Sequence, residues 1–161
     1  MRLILFDSFE GLPEMTEVDL DESDFHQGQF SCSLDEVKRN LLASDVDLTK
    51  YLFVKGWYKD TCAKATKEIH QIKAAAICWI DCDLYQSTSE VLNFLKDIIV
   101  DGTILVFDDW FCFRGSPYRG QQLAFSEFKQ KMPGWVFNEF QRETSDRVAF
   151  YCNRIPITPL T

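Results

Sequence analysis

A chain of 161 residues with a formal charge of −8, 46% hydrophobic and 26% charged, has the size and composition of one globular domain. Its lysines and arginines are scattered instead of forming a stripe, which argues against a nucleic-acid binder. The apolar runs fall far short of a membrane span, and the first residues lack the basic-then-apolar order of a signal peptide, so a cytoplasmic protein without a membrane partner is expected.

Arg2-Leu-Ile-Leu-Phe6 is an apolar run ending at Asp7 and predicts a buried strand. Residues 11–29 are acidic and read as loop. Ser33, followed three residues later by Glu36, predicts a capping box and a helix through Leu42. A strand at 51–55 stops at Gly56, a helix follows at 61–72, and 75–80 reads as a third strand. Residues 87–100 have amphipathic helical spacing, with Val91, Leu92, Leu95, Ile98 and Ile99 inward, and Asp101-Gly102 closes them. Next come a strand at 103–107, a helix at about 120–132, and an antiparallel pair at 135–140 and 147–152. The six cysteines form no C-x-x-C pair and read as reduced thiols serving as small hydrophobes.

Strands alternating with helices predict an open α/β sheet with helices on both faces. Ligands of such sheets bind outside the carboxyl ends of the strands. Asp7, Asp81, Asp83, Asp108 and Asp109 all stand at predicted carboxyl ends. Taken singly, each is most simply a turn former or a helix cap. If the strands at 75–80 and 103–107 are neighbours, however, Asp81, Asp108 and Asp109 can converge, and carboxylates so placed must protonate or share a cation. A hard, oxygen-seeking ion such as Mg²⁺ suits them better than zinc, since no histidine or cysteine is suitably spaced. Trp57, Tyr58, Trp110 and Phe111 stand beside these ends and could wall a pocket, with core packing the simpler role. His26 and His70 are expected to be structural or surface residues, and Arg114 and Arg119 solvated loop arginines.

Asp7-Ser-Phe-Glu-Gly-Leu-Pro13, Gly28-Gln-Phe-Ser-Cys-Ser33, Val54-Lys-Gly-Trp-Tyr58, Ile80-Asp-Cys-Asp-Leu-Tyr85 with Ser87-Thr88, and Val106-Phe-Asp-Asp109 occur in that order. Together they resemble the macrocin O-methyltransferase family over roughly residues 3 to 130. The resemblance implies a Rossmann-like class I methyltransferase sheet, mostly parallel with a C-terminal antiparallel pair, and the cofactors S-adenosylmethionine and Mg²⁺. It implies Asp81, Asp108 and Asp109 as metal ligands, Asp83 as general base, and Asp7, Ser8, Ser33 and Trp57 as cofactor-binding residues. The implied acceptor is a hydroxyl of a sugar or glycosylated small molecule.

The family's first strand, Gly-rich turn and helix have no counterpart here, and no G-x-G-x-x-G occurs. A single, N-terminally truncated domain is therefore expected, in which the strands at 2–6 and 75–80 either keep unpaired edges or pair directly. Self-association, or a need for the missing portion as a separate chain, would follow. Two other readings compete. Asp81-Cys82-Asp83 fits the D-x-D of a metal-dependent nucleotide-sugar glycosyltransferase, and the whole chain could be a methyltransferase remnant without activity. Leu5-Phe6-Asp7 also hints at a metal-dependent phosphohydrolase, but Phe9 stands where its second aspartate belongs.

Overall fold

The computed structural model describes residues 2–20, 25–142 and 147–156. Strand β1 (Leu3–Asp7) is followed by a long loop, helix α1 (Leu34–Ala43), strand β2 (Tyr51–Lys55) and two short helices, α2 (Tyr58–Thr61) and α3 (Lys64–Ile69). Then come β3 (Ala75–Ile80), α4 (Tyr85–Leu95), β4 (Ile99–Phe107), α5 (Gly120–Gln130), β5 (Trp135–Arg142) and β6 (Val148–Arg154). The α/β alternation expected from the sequence is what forms.

These strands build two sheets. β1 pairs with β2 in parallel, while β3, β4, β6 and β5 form a four-stranded sheet in that order, parallel between β3 and β4 and antiparallel thereafter. Of the two outcomes expected for the strands at 2–6 and 75–80, unpaired edges is the one realised: among the described residues the two sheets share no ladder. Side chains join them instead. The Phe6 ring meets Phe94 of α4 edge-on at 5.3 Å, and the Tyr58 hydroxyl donates to the Phe6 carbonyl at 3.3 Å.

The core lies under one face of the larger sheet. Leu92 and Leu95 of α4 and Ala124, Phe125 and Phe128 of α5 pack on Ile80, Leu105, Phe107, Phe150 and Cys152. Phe125 anchors a ring cluster, 4.7 Å from Phe107, 4.8 Å from Phe150 and 5.3 Å from Phe137. The expectation of helices on both faces is not met in this sheet, because α4 and α5 lie side by side in the same core. Ile77, Trp79, Val136, Phe140 and Tyr151 on the other side of the strands stay exposed.

Several boundaries moved for local reasons. In place of one helix at 61–72, two short helices form, α2 ending at Thr61 and α3 ending at Ile69, separated by Cys62-Ala63. α4 starts two residues earlier than expected and ends at Leu95, and the apolar Ile99-Val100 that looked like its last turn opens β4. That strand absorbs Gly102, at φ +85°, through a register shift opposite Ala75 and Ile77. The Thr103 hydroxyl secures the irregularity, accepting from Val100 N at 2.9 Å and donating to Ala75 O at 2.6 Å. All six cysteines are free, and burial pushes the thiols of Cys62, Cys78 and Cys152 up to about 12. Among the described residues, no helix is long and apolar enough to cross a membrane.

Candidate active site

Why β3 ends in two aspartates is answered by the turn that follows it. Ile80 is the last buried residue of the strand, Asp81 is exposed, and Cys82 dives back into the core beside the Thr88 hydroxyl. The chain then reverses through Asp83, at φ +54°, a conformation that aspartate tolerates better than most residues. The Asp83 amide donates to the Asp109 carboxylate at 3.0 Å, so the end of β4 fixes the turn after β3. Gly120 abuts the same turn at φ +51°, and a Cβ there would lie 2.7 Å from the Phe113 ring and 3.5 Å from the Asp83 carbonyl.

Parallel pairing of β3 and β4 brings the carboxylates together. One oxygen each from Asp81, Asp108 and Asp109 lies within 4.8 Å of the others. Although Asp81 stands at an exposed rim, loss of water around its carboxyl, then the Asp108 charge, raises that carboxyl above its ordinary value. Burial, reinforced by Asp81 and Asp108, lifts Asp83 to about 6. Asp109 is lifted to about 7 by burial and by Asp83, against the opposing pull of the Asp83 amide. Clustered carboxylates raised in this way are relieved by a cation, and an all-oxygen donor set fits a hard divalent ion. The nearest thiol, Cys82, points into the core and is unsuited to such a role.

Gln121, which sequence reasoning passed over, supports this arrangement. Only 1% exposed, it accepts from the Asp109 amide at 3.0 Å and donates to the Ile80 carbonyl at 3.0 Å and the Asp109 carboxylate at 3.3 Å. One carboxamide thus ties together the ends of β3 and β4. Asp19, fully buried in the acidic loop, plays a comparable part. Its carboxylate accepts from Tyr85 N at 2.8 Å and Gly120 N at 3.3 Å, capping the first turns of both α4 and α5, and Arg119 donates to the Val18 carbonyl at 2.8 Å. Gln121 offered only a polar side chain at a helix start, which is common on any surface, and Asp19 only one more acidic residue in an acidic loop.

A cavity of about 400 Å³ opens where the two sheets meet, within the size range of small-molecule sites. Asp7, Ser8, Trp57, Asp81, Asp83 and Asp109 line it, so most of the residues singled out from the sequence are gathered here. Asp7 and Ser8 also stabilise the turn after β1: Asp7 accepts from Phe9 N, and the Ser8 hydroxyl accepts from Glu10 N at 3.0 Å. Leu12, Pro13, Gln29 and Phe30 of the acidic loop form a further wall that sequence reasoning did not assign. Gly11 lets the loop's two arms meet, since a Cβ there would lie 2.5 Å from the carbonyls of Gly28 and Gln29. Ser33 is not among the lining residues; its hydroxyl accepts from Glu36 N at 3.3 Å as the α1 N-cap foreseen from the capping box. Asp108 lies beside the cavity, ion-paired with Arg147. Trp110 takes the simpler of its two roles, packing at 5.1 Å from Phe107 and 5.3 Å from Phe150.

Solved methyltransferases share this arrangement of strands and helices. The O-methyltransferase NovP superposes with a TM-score of 0.71 at 24% identity, over 95% of this chain and 60% of that one. The calicheamicin methyltransferase CalS11 does so with a TM-score of 0.71 at 21% identity, over 93% and 60%. The fold is therefore that of the class I methyltransferases. Residues 1–132 match the family model of the macrocin O-methyltransferases (TylF), and the chain belongs to that family. A curated relative, the 8-demethyl-8-(2,3-dimethoxy-α-L-rhamnosyl)-tetracenomycin-C 4'-O-methyltransferase of Streptomyces olivaceus, is 30% identical over 117 residues, 68% of this chain and 42% of the relative. The demethyldecarbamoylnovobiocin O-methyltransferase of Streptomyces niveus is 30% identical over 118 residues, 66% of this chain and 41% of the relative. The chain thus spans about two fifths of the length of the curated relatives it matches. Family membership decides against the glycosyltransferase reading of Asp81-Cys82-Asp83.

Proposed function

We propose that this chain acts as an S-adenosylmethionine-dependent O-methyltransferase that uses a divalent ion, Mg²⁺, and methylates a hydroxyl of a sugar or glycosylated small molecule. The observation that carries this reading is the convergence of Asp81, Asp108 and Asp109 at a cavity that Asp83 also lines. Family membership supports the methyl-transfer chemistry, and the curated relative named for methylating a rhamnosyl-tetracenomycin supports a sugar acceptor.

Asp81, Asp108 and Asp109 would hold the ion, while Asp7, Ser8 and Trp57 stand on the cavity wall nearest the β1–β2 pair and would hold the cofactor. When bound, the ion supplies a Lewis acid that makes the acceptor hydroxyl more acidic, and S-adenosylmethionine supplies an electrophilic methyl. Asp83 takes the hydroxyl proton onto a carboxylate oxygen. A carboxyl raised to about 6 by burial is still ionised near neutral pH and is more basic than an ordinary aspartate. Its position is set by the Asp109 carboxylate, which holds its amide, and by Gly120, which packs against its carbonyl. Exclusion of water falls to the acidic loop, which Asp19 fastens over the first turns of α4 and α5.

Incubation with S-adenosylmethionine, Mg²⁺ and a panel of rhamnosyl glycosides, followed by mass spectrometry, tests the proposal. Asp83→Asn is expected to slow methyl transfer about a hundredfold or more while leaving S-adenosylhomocysteine affinity unchanged. Undiminished transfer by that variant would remove Asp83 from the role of base.

A further inference from the structure

Arg147, immediately before β6, forms an ion pair through Nε with an Asp108 oxygen, and its guanidinium lies 5.3 Å from the centre of the Trp79 ring. Its charge also reaches Asp81, whose carboxyl it pulls down against the upward push of burial and Asp108. Arg147 therefore acts on two of the three carboxylates that would hold the ion. A guanidinium stays charged throughout the working pH range. The Arg147 side chain is 43% exposed and rests against an indole that is itself 58% exposed, so water reaches both groups.

We propose that Arg147 is a built-in counter-cation of the carboxylate cluster. It neutralises Asp108 while no ion is bound, must give way when one enters, and so sets how much divalent ion the site requires. This rests on the divalent-ion reading of Asp81, Asp108 and Asp109. It adds a residue outside the ligand set that governs the ion's affinity. A positive charge already paired with Asp108 competes with a divalent ion for that carboxylate, and removing the charge tightens the site. The alternative, that Arg147 orients Asp108 for the ion, makes the opposite prediction.

Calorimetric titration with Mn²⁺ at fixed pH and ionic strength separates the two. Arg147→Met, which keeps an unbranched apolar stem against Trp79, is expected to bind Mn²⁺ about tenfold more tightly than the native chain. Arg147→Lys, which keeps the charge, is expected to stay within about threefold of native. Equal or weaker binding by Arg147→Met would overturn the counter-cation role while leaving the metal site standing. Mn²⁺ binding by neither protein would remove the metal site and this inference with it. A second readout covers a variant that folds poorly: in the native chain, Mg²⁺ should change the Trp79 emission as the guanidinium leaves its ring. Trp79→Phe identifies the signal by subtraction. An emission unchanged at saturating Mg²⁺ would likewise overturn the proposal.

Discussion

The two sheets of this molecule are held together in very different ways. The half built on β3, β4, β6 and β5 has a continuous core, with Leu105, Phe107, Phe125 and Cys152 wholly withdrawn from water. The half built on β1 and β2 has few buried residues: Val54 is the buried position of its two strands, and α1 buries none. The expected catalytic residues are divided accordingly. The carboxylates belong to the half with the packed core, where Gln121 and the Asp83 turn fix them, whereas Asp7, Ser8 and Trp57 belong to the half with little core. The lesson is that the carboxylate cluster sits on the half with the packed core, whereas the cavity wall formed by Asp7, Ser8 and Trp57 depends on how well the smaller sheet is held against it.

Core truncation gives the largest separation between the halves. Phe125→Ala is expected to destabilise the chain by about 3–5 kcal/mol in urea unfolding, through lost burial and the cavity left behind. Phe53→Ala, in half-buried β2, should cost only about 1 kcal/mol. Similar costs for the two would contradict the contrast.

The carboxamide bridge comes next. Gln121→Leu keeps the volume but leaves the Asp109 amide and the Ile80 carbonyl without their side-chain partner, so a loss of about 1–3 kcal/mol is expected by the same assay. No loss would mean that the ends of β3 and β4 do not rely on it.

A smaller effect follows from ionisation. In the folded chain the Asp83 carboxyl is raised to about 6, above its value in the unfolded chain, so the folded state binds its proton more tightly. The stability this provides is fully present below the unfolded pKa of about 3.9 and is lost as pH rises through about 6. Without divalent ions, Asp83→Asn should therefore gain stability relative to the native chain, by about 1–2 kcal/mol between about pH 4 and pH 8. A difference that does not change with pH would show that the side chain is better solvated than its burial implies.

The smallest expected change is at Ser33. Ser33→Ala should cost about 1 kcal/mol or less, as the loss of a helix cap, and leave S-adenosylhomocysteine affinity unaltered. A large drop in cofactor affinity would return Ser33 to the binding wall.

Much of this was legible in the sequence because the signals were periodic or local. Short apolar runs gave the strands, the Ser33 to Glu36 spacing gave α1 and its cap, and the carboxyl-end aspartates marked the carboxylate cluster. The parts that stayed hidden depend on contacts between distant residues. Nothing in the sequence near Asp19 tells that it will be buried under two helices more than sixty residues away. Gln121 and Arg147 likewise acquire their roles only when α5 and β6 are folded against the strand ends. The Ile99-Val100 error arose because apolar residues at the end of a helix and at the start of a buried strand look alike until Thr103 secures the bulge.

The proposed function requires the cavity between the two sheets to be a cofactor site. Calorimetric titration of the folded 161-residue chain with S-adenosylhomocysteine, with and without Mg²⁺, tests it most directly. Saturable micromolar binding is the predicted result. Absence of binding, in a sample whose circular dichroism shows a folded chain, would contradict it.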